Sequence, residues 1–316
     1  MSEARSEPRD GVVVCLPDIA ERRLMGELPS NVEVRLVPPE PGPLPDLSQV
    51  DLVVPTRRVR GPLLATLRAP GRLRVIQTLS AGVDWLVGHV PAEVMVCNAR
   101  GAYDGPLAEW VVGVILAFQR GLLLARDAQA RGTWTSFEPD ELAGRRVVIL
   151  GFGSIGMAVA DRLRPFGVEI VGVSRSPRAG VLGLDGLDGV LPRADILVDL
   201  LPLTSETVGL LDARRLALLP EGALVINAGR GGTVRTPDLV SEVERGRLRV
   251  ALDVTDPEPL PAGHPLWTLP NVLVTPHVAG DSAGATARAF ALAGDQVRRF
   301  AAGQPLLNQV ARYLLD

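Results

Sequence analysis

Glycine stands at the first, third and last places of Gly151-Phe152-Gly153-Ser154-Ile155-Gly156, directly after the apolar run Arg146-Val147-Val148-Ile149-Leu150. Behind it Met157–Arg164 reads as a helix that Gly167 ends, and a second apolar run, Val168–Val173, follows. A glycine-rich turn between a strand and a helix, inside a unit of about thirty residues, is the fingerprint of a dinucleotide site. Gly151 permits the tight turn, Gly153 lets a pyrophosphate approach the backbone, and Gly156 allows close helix–strand packing. The free amides and positive end of the helix then face the phosphates. A tight turn without ligand is the plain alternative, and the strand–turn–helix setting speaks against it.

The end of the second strand bears on which dinucleotide. Sites that prefer NAD usually place an acid about twenty positions on, where it holds the ribose 2'-hydroxyl. Here the strand ends Gly172-Val173-Ser174-Arg175-Ser176 with Arg178 close behind, and its only acid, Glu169, lies at the far end. A guanidinium and two hydroxyls suit a 2'-phosphate, because arginine offers a planar fork of donors. NADP(H) is therefore the preferred cofactor on this reading and NAD(H) the other candidate. An Arg175 that is merely solvated is the bland alternative.

Such a site needs strands to carry it. Apolar runs recur with helical stretches between them, first at Val12–Leu16, Val32–Leu36, Leu52–Val54, Val75–Leu79 and Val94–Cys97. A second set follows at Val147–Leu150, Val168–Val173, Ile196–Leu200, Leu224–Asn227, Val250–Asp253 and Val272–Val274. Continuous apolar strands alternating with helices imply parallel sheets covered on both faces, an α/β fold. Between the sets lies the longest helical candidate, from about Pro106 to Gln129, with Pro106 in its first turn. The proline-rich stretch Pro38–Asp46 reads as a surface loop.

Composition excludes several classes. A chain of 316 residues is long for one compact domain, and 47% hydrophobic with 22% charged residues is ordinary globular composition. A formal net charge of -3 with a pI of about 5.8 gives no electrostatic reason to expect nucleic acid or an anionic membrane as partner. Every basic residue besides histidine is arginine. No apolar run approaches the length needed to span a bilayer. The N-terminal MSEARSEPRD, with acids among its basic residues and no apolar core behind them, reads as a short disordered tail, not a signal peptide. Cys15 and Cys97 lack metal-ligand spacing and sit in apolar stretches. Buried reduced thiols in a cytoplasmic protein are the expectation, with no metal site.

Three further segments complete a pattern. They are Ile226-Asn227-Ala228-Gly229-Arg230-Gly231-Gly232, then Ala251–Pro259, and last His264–Trp267 with Asn271–Gly280, which contains Thr275-Pro276-His277. In this order after a dinucleotide fingerprint, they closely resemble the D-isomer-specific 2-hydroxyacid dehydrogenase family, most like its glyoxylate/hydroxypyruvate reductases. The likeness extends upstream to Leu79–Asp84, Asn98–Gly101, Ala108-Glu109-Trp110 and Trp134.

The resemblance implies roles for particular residues. Arg230 would grip the substrate carboxylate and polarise its carbonyl, His277 would protonate the carbonyl oxygen during reduction, and Glu258 would be the carboxylate paired with that histidine. Asp256 competes with Glu258 for that place. The loop Ser80-Ala81-Gly82 would hold the substrate carboxylate through backbone amides. Ser154 and Ile155 would meet the pyrophosphate; Ala228, Gly229, Asp253 and Gly280, with Arg230 and His277, would line the nicotinamide end; Leu201 and Pro202 would border the adenosine. The residue types suit the reaction: reducing a ketone by hydride builds negative charge on oxygen, so a proton donor and a cation must stand beside it. A carboxylate beside histidine stabilises its charged form and fixes its tautomer. His264 and His89 have no such setting. Thr255 stands where the family commonly has an aromatic residue, and Arg100 where it has a small residue or proline, so the substrate is the least determined part.

The family fold would be two doubly wound parallel-sheet domains, a Rossmann cofactor domain of about 99–285 inserted in a flavodoxin-like substrate domain of about 1–98 with 286–316. Relatives are homodimers, and the helix after Pro106 would lie in that interface. The expected activity is hydride transfer between NAD(P)H and a small 2-oxo acid, giving a D-2-hydroxy acid. An NAD-dependent phosphoglycerate or D-lactate dehydrogenase is one alternative, and a dinucleotide-sensing corepressor-like binding protein is another.

Overall fold

The computed structural model describes residues 11–37, 46–69 and 71–315, so the N-terminal tail and all of the proline-rich loop but Asp46 lie outside the described residues. The chain divides into two compact units, Met1–Tyr103 with Ser282–Asp316, and Asp104–Asp281. The second is thus inserted into the first.

The first unit holds β1 (Val12–Pro17), β2 (Val32–Val37), β3 (Leu52–Val53), α1 (Arg60–Thr66), β4 (Val75–Gln77) and β5 (Met95–Cys97). The strands pair in parallel in the order β2-β1-β3-β4-β5, which is the flavodoxin-like winding. Alternate residues of β1 serve two cores. Val13 and Cys15 pack with Val53, Ile76 and Val96, while Val12, Val14 and Leu16 pack with Phe290, Val297 and Phe300. Cys15 and Cys97 are free and buried, and burial pushes both thiols up to about 11. Such thiols stay protonated and unreactive.

The inserted unit runs α2 (Asp104–Gln119), α3 (Leu122–Ala130), β6 (Arg146–Leu150), α4 (Ser154–Leu163), β7 (Glu169–Val173), β8 (Val181–Leu182), α5 (Leu187–Val190) and β9 (Ile196–Asp199). It continues with α6 (Ala213–Leu218), β10 (Leu224–Asn227), α7 (Thr236–Glu244), β11 (Arg249–Leu252) and β12 (Val272–Val274), and α8 (Ala283–Ala301) then rejoins the first unit. The order β12-β11-β10-β9-β6-β7-β8, all parallel, is the Rossmann winding with one strand added. Two sequence expectations change here. The long helix from Pro106 to Gln129 is two helices that meet at 67°. Gly121 between them takes a left-handed φ of 62°, and a Cβ there would stand 2.3 Å from the ring of Phe137. The other change is β8, which is too short to show as an apolar run.

Register puts the site in one row. Leu150 pairs with Val173 and Asp199, Asn227 with Asp199 and Leu252, and Leu252 with Val274. The residues that follow each of these, Gly151, Ser174, Leu200, Ala228, Asp253 and Thr275, therefore open their loops along a single edge of the sheet. Ligands of doubly wound sheets bind outside that carboxyl edge, where the strand order reverses, here between β6 and β9. Among the described residues no single helix is long and apolar enough to cross a membrane, and no group of three or more His, Cys, Asp or Glu could hold a metal ion.

Candidate active site

The glycine turn has three different glycines. Gly151 has a φ of 81°, and a Cβ on it would lie 2.7 Å from the carbonyl of Leu200. On Gly156 a Cβ would lie 2.8 Å from the carbonyl of Gly151, so this glycine seats α4 against the turn. A Cβ on Gly153 would meet nothing within 4 Å, and the residue is exposed. The first two glycines are required by the protein itself, whereas Gly153 leaves open space in front of the first turn of α4. Ser154 and Ile155 sit in that turn, whose amides have no intrahelical acceptor. An open cradle at a helix N-terminus fits a pyrophosphate, so these residues fit a dinucleotide.

At the end of β7 the side chains engage one another. Arg175 Nη2 donates to Oε1 of Glu206 at 3.2 Å and its Nε stands 3.1 Å from Oε2 in the same ion pair, and both residues are about half exposed. Ser174 Oγ donates to the Ser176 carbonyl at 2.8 Å, and Arg178 Nη2 to the carbonyl of Phe152 at 2.7 Å. The Phe152 ring lies over Gly172, where a Cβ would stand 2.6 Å from it. Arg178 thereby ties the glycine turn to the β7 corner. Glu169 is at the other end of the strand, paired with Arg146 at 2.7 Å. Sequence reasoning missed Glu206, since the two partners are 31 positions apart and on separate loops.

The loop after β9 carries Leu201 and Pro202. The Leu201 amide donates to Asp199 Oδ1 at 3.0 Å, and Thr207 Oγ1 donates to the Pro202 carbonyl at 2.6 Å. The loop after β10 packs on it: a Cβ on Gly229 would lie 2.7 Å from both N and O of Leu201, and one on Gly231 only 2.0 Å from the carbonyl of Thr255. These glycines permit close approach of backbone to backbone and do not by themselves mark a ligand. Arg230 between them is half-buried in extended conformation, with Nη1 donating to the Gly229 carbonyl at 2.6 Å. The Ala228 amide donates to the Asp199 carbonyl at 3.0 Å.

Asp253 fixes the last loop. Its Oδ1 accepts from Thr275 Oγ1 at 2.6 Å and the Val278 amide at 2.9 Å, its Oδ2 from the Ala279 amide at 2.9 Å, and its carbonyl from the His277 amide at 2.8 Å. These bonds hold His277 at a φ of 55°, where a residue other than glycine needs its surroundings to fix it. Gly280 follows in the same turn. Nδ1 of His277 meets Oε1 of Glu258 at 2.8 Å. Asp256 does not take this place; its carbonyl accepts from Thr236 Oγ1 at 2.8 Å. His264 caps the turn Pro265–Trp267, its Nδ1 accepting from the Leu266 amide at 3.3 Å.

In the first unit, the loop Ser80-Ala81-Gly82 is held through its carbonyls. They accept from Thr78 Oγ1 at 2.8 Å, Asn98 Nδ2 at 2.7 Å and Ser80 Oγ at 2.8 Å, respectively.

Sequence and structure comparisons identify the family. Residues 112–279 match the model of the D-isomer specific 2-hydroxyacid dehydrogenase NAD binding domain. A D-isomer specific 2-hydroxyacid dehydrogenase from Xanthobacter autotrophicus, solved with NADPH, superposes with a TM-score of 0.81 at 33% identity, covering 96% of this chain and 98% of that one. An NADPH-dependent glyoxylate/hydroxypyruvate reductase from Sinorhizobium meliloti, solved with NADP, gives a TM-score of 0.83 at 30% identity over 98% of this chain and all of that one. The D-3-phosphoglycerate dehydrogenase of Mycobacterium tuberculosis is 36% identical over 248 residues, which is 75% of this chain but 47% of that protein. The chain thus spans about half the length of that enzyme. The chain belongs to the D-isomer specific 2-hydroxyacid dehydrogenase family. It is an oxidoreductase with a nicotinamide-dinucleotide-binding unit.

Proposed function

We propose that this enzyme reduces a small 2-oxo acid, glyoxylate or hydroxypyruvate, to the D-2-hydroxy acid and prefers NADPH. The observation that carries this reading is the His277–Glu258 pair, held on the same sheet edge as Arg230 and the glycine turn. Arg230 binds the carboxylate through its fork of donors and polarises the adjacent carbonyl. Nδ1 of His277 is taken by Glu258, so Nε2 is the nitrogen that gives its proton to the carbonyl oxygen. The carboxylate of Glu258 stabilises the charged imidazole before the transfer. Gly151, Gly153, Ser154, Ile155 and Gly156 hold the pyrophosphate, with Leu201 and Pro202 beside the adenosine. Ala228, Gly229, Asp253 and Gly280 border the nicotinamide, which when bound supplies the hydride. Ser174, Arg175 and Ser176 meet the 2'-phosphate. The first unit serves the substrate, with Ser80, Ala81 and Gly82 as carboxylate contacts. A cytoplasmic homodimer completes the proposal: Leu122, Leu124 and Trp134, 98% exposed, offer apolar surface beside α3.

The test is a panel of glyoxylate, hydroxypyruvate, pyruvate, longer 2-oxo acids and 3-phosphohydroxypyruvate with each cofactor, followed by cofactor absorbance. NADPH consumption with glyoxylate or hydroxypyruvate is the expected result. Turnover of 3-phosphohydroxypyruvate alone, with NADH, would transfer the protein to the phosphoglycerate reading, and failure of every acid with both cofactors would remove the dehydrogenase reading.

A further inference from the structure

Asp199 is a buried acid for which the reaction above has no use. It ends β9 and is fully buried. Its carbonyl accepts from the Ala228 amide at 3.0 Å and its Oδ1 from the Leu201 amide at 3.0 Å. Its Oδ2 stands 2.5 Å from Oγ1 of Thr233, and that same Oγ1 stands 2.6 Å from the carbonyl oxygen of Arg230. One acid therefore ties together two loops of the cofactor site and the backbone of the arginine proposed to bind substrate.

The protons can be counted. A threonine hydroxyl has one proton to give and can accept through its lone pairs. Two oxygen–oxygen contacts as short as these each need a proton between them. The Arg230 carbonyl has none, so the Thr233 proton goes there, and the proton of the other contact comes from Asp199. Asn227 braces the same point, its Nδ2 donating to the Arg230 carbonyl at 3.0 Å. We propose that Asp199 is held as the neutral acid in mildly acidic solution and, through Thr233, is a positioning residue for Arg230. The positioning role rests on the reading of Arg230 as the ligand of the substrate carboxylate.

The surroundings act in the same direction. Burial, the largest influence, pushes the Asp199 carboxyl up to about 6 against the bonds from Thr233 and Leu201. Leu150 of β6 and Asn227 of β10 stand level with it, and neither carries charge. On the flanking loops Glu206 pairs with Arg175, Arg235 with Asp238, Asp253 binds the Thr275–Ala279 turn, and Arg230 donates to Gly229. Ionisation of Asp199 would draw the Thr233 proton to the carboxylate and leave the 2.6 Å contact at Arg230 without one. Arg230 then loses a restraint, and substrate affinity falls as pH rises through the titration.

Carbon-13 NMR of the aspartate carboxyls, with Asp199 assigned by its loss in Asp199→Asn, tests the proton directly. A midpoint well above the ordinary value of about 3.9 is expected, with the Arg230 amide resonance moving over the same pH range. A midpoint in the ordinary range, or an Arg230 amide that ignores it, overturns the proposal whether or not the protein turns over any 2-oxo acid. Kinetics test the consequence. At about pH 5, below that titration, Thr233→Val should raise KM for the 2-oxo acid about tenfold and leave NADPH affinity nearly unchanged, and Asp199→Ala, which also releases the Leu201 amide, should raise KM at least as far. Asp199→Asn keeps an uncharged donor, so its KM should stay within about threefold of the parent and lose its pH dependence. An Asn variant as impaired as the Ala variant, or NADPH affinity falling in step with KM in Thr233→Val, would refute the positioning role. A parent inactive on the whole panel would instead count against the proposed reaction, while the titration still decides the state of Asp199.

Discussion

The loops after β10, β11 and β12 and the turn after β7 leave one edge of one sheet, yet they are held in opposite ways. In the first region buried groups fix the backbone. Asp253 takes two amides and a hydroxyl of the Thr275–Ala279 turn, Asp199 and Thr233 hold the loop of Arg230, and Gly229 and Gly231 let strands of backbone touch. In the second region exposed side chains hold each other: Arg175 grips Glu206 with the two 44% and 51% exposed, and Ser174 bonds to Ser176. Proton transfer and carboxylate binding depend on placement to a fraction of an ångström, which a braced backbone supplies. Cofactor choice depends on charge at the surface, which can be exchanged at little expense to the fold. The two regions should therefore respond to substitution on different scales and in different observables.

The largest effect belongs to the braced region. His277→Ala removes the proposed proton donor and should lower kcat roughly 100- to 10,000-fold, the usual worth of general acid–base catalysis. NADPH affinity, measured by fluorescence titration, should change little, because the role proposed for the ring is toward the substrate carbonyl. A variant that keeps half its activity would place the proton donor elsewhere and erase the contrast between the regions.

The two regions also differ in how far the sequence discloses them. Buried parallel strands are continuous apolar runs, so Val147–Leu150 or Leu224–Asn227 is visible without a structure. The glycine turn is visible because its spacing, directly between an apolar run and a helical stretch, is a pattern local in sequence. What escapes is set by contacts distant in sequence. The break at Gly121 depends on the ring of Phe137, so the apolar pattern runs through it unmarked. Gly231 looks like a ligand contact until the carbonyl of Thr255 is seen against it. Asp199 did leave a signal, since an acid closing the apolar strand Ile196-Leu197-Val198 must find partners once buried. Glu206 left none: it is one acid in an exposed turn, and only the fold brings it to Arg175.

A smaller effect is expected where surface charge decides. If Arg175 meets the 2'-phosphate with Ser174 and Ser176, charge-assisted contact worth roughly 1.5–3 kcal/mol gives NADPH a preference of about 10- to 150-fold in kcat/KM. Replacing Ser174 by Asp together with Arg175 by Ala should reverse the preference, as the new carboxylate accepts from the ribose hydroxyls of NADH and repels the phosphate of NADPH. Its melting temperature should stay near the parent's. A parent that already prefers NADH would detach Arg175 from the cofactor.

The smallest effect sharpens the comparison most, because it separates Arg175 from the residue that restrains it. Glu206 engages the Nε–Nη2 edge of the guanidinium, so a 2'-phosphate arriving at that edge must share it with a carboxylate or displace that carboxylate. Glu206→Gln removes the negative charge and loosens the clasp, which should lower KM for NADPH while leaving KM for NADH nearly constant. Exposed ion pairs are worth about 0.2–1 kcal/mol, so the gain in NADPH preference should be modest, about 1.4- to fivefold. Screening adds a second handle: ions shorten the reach of the Glu206 charge, so the gap between parent and variant should narrow as salt rises from about 0.01 M to 1 M. Measuring kcat/KM for both cofactors across that range tests the two together. An unchanged preference in Glu206→Gln at low salt would mean that Glu206 swings clear when NADPH binds, and the ribose corner would then owe its selectivity to Arg175 and the serines alone.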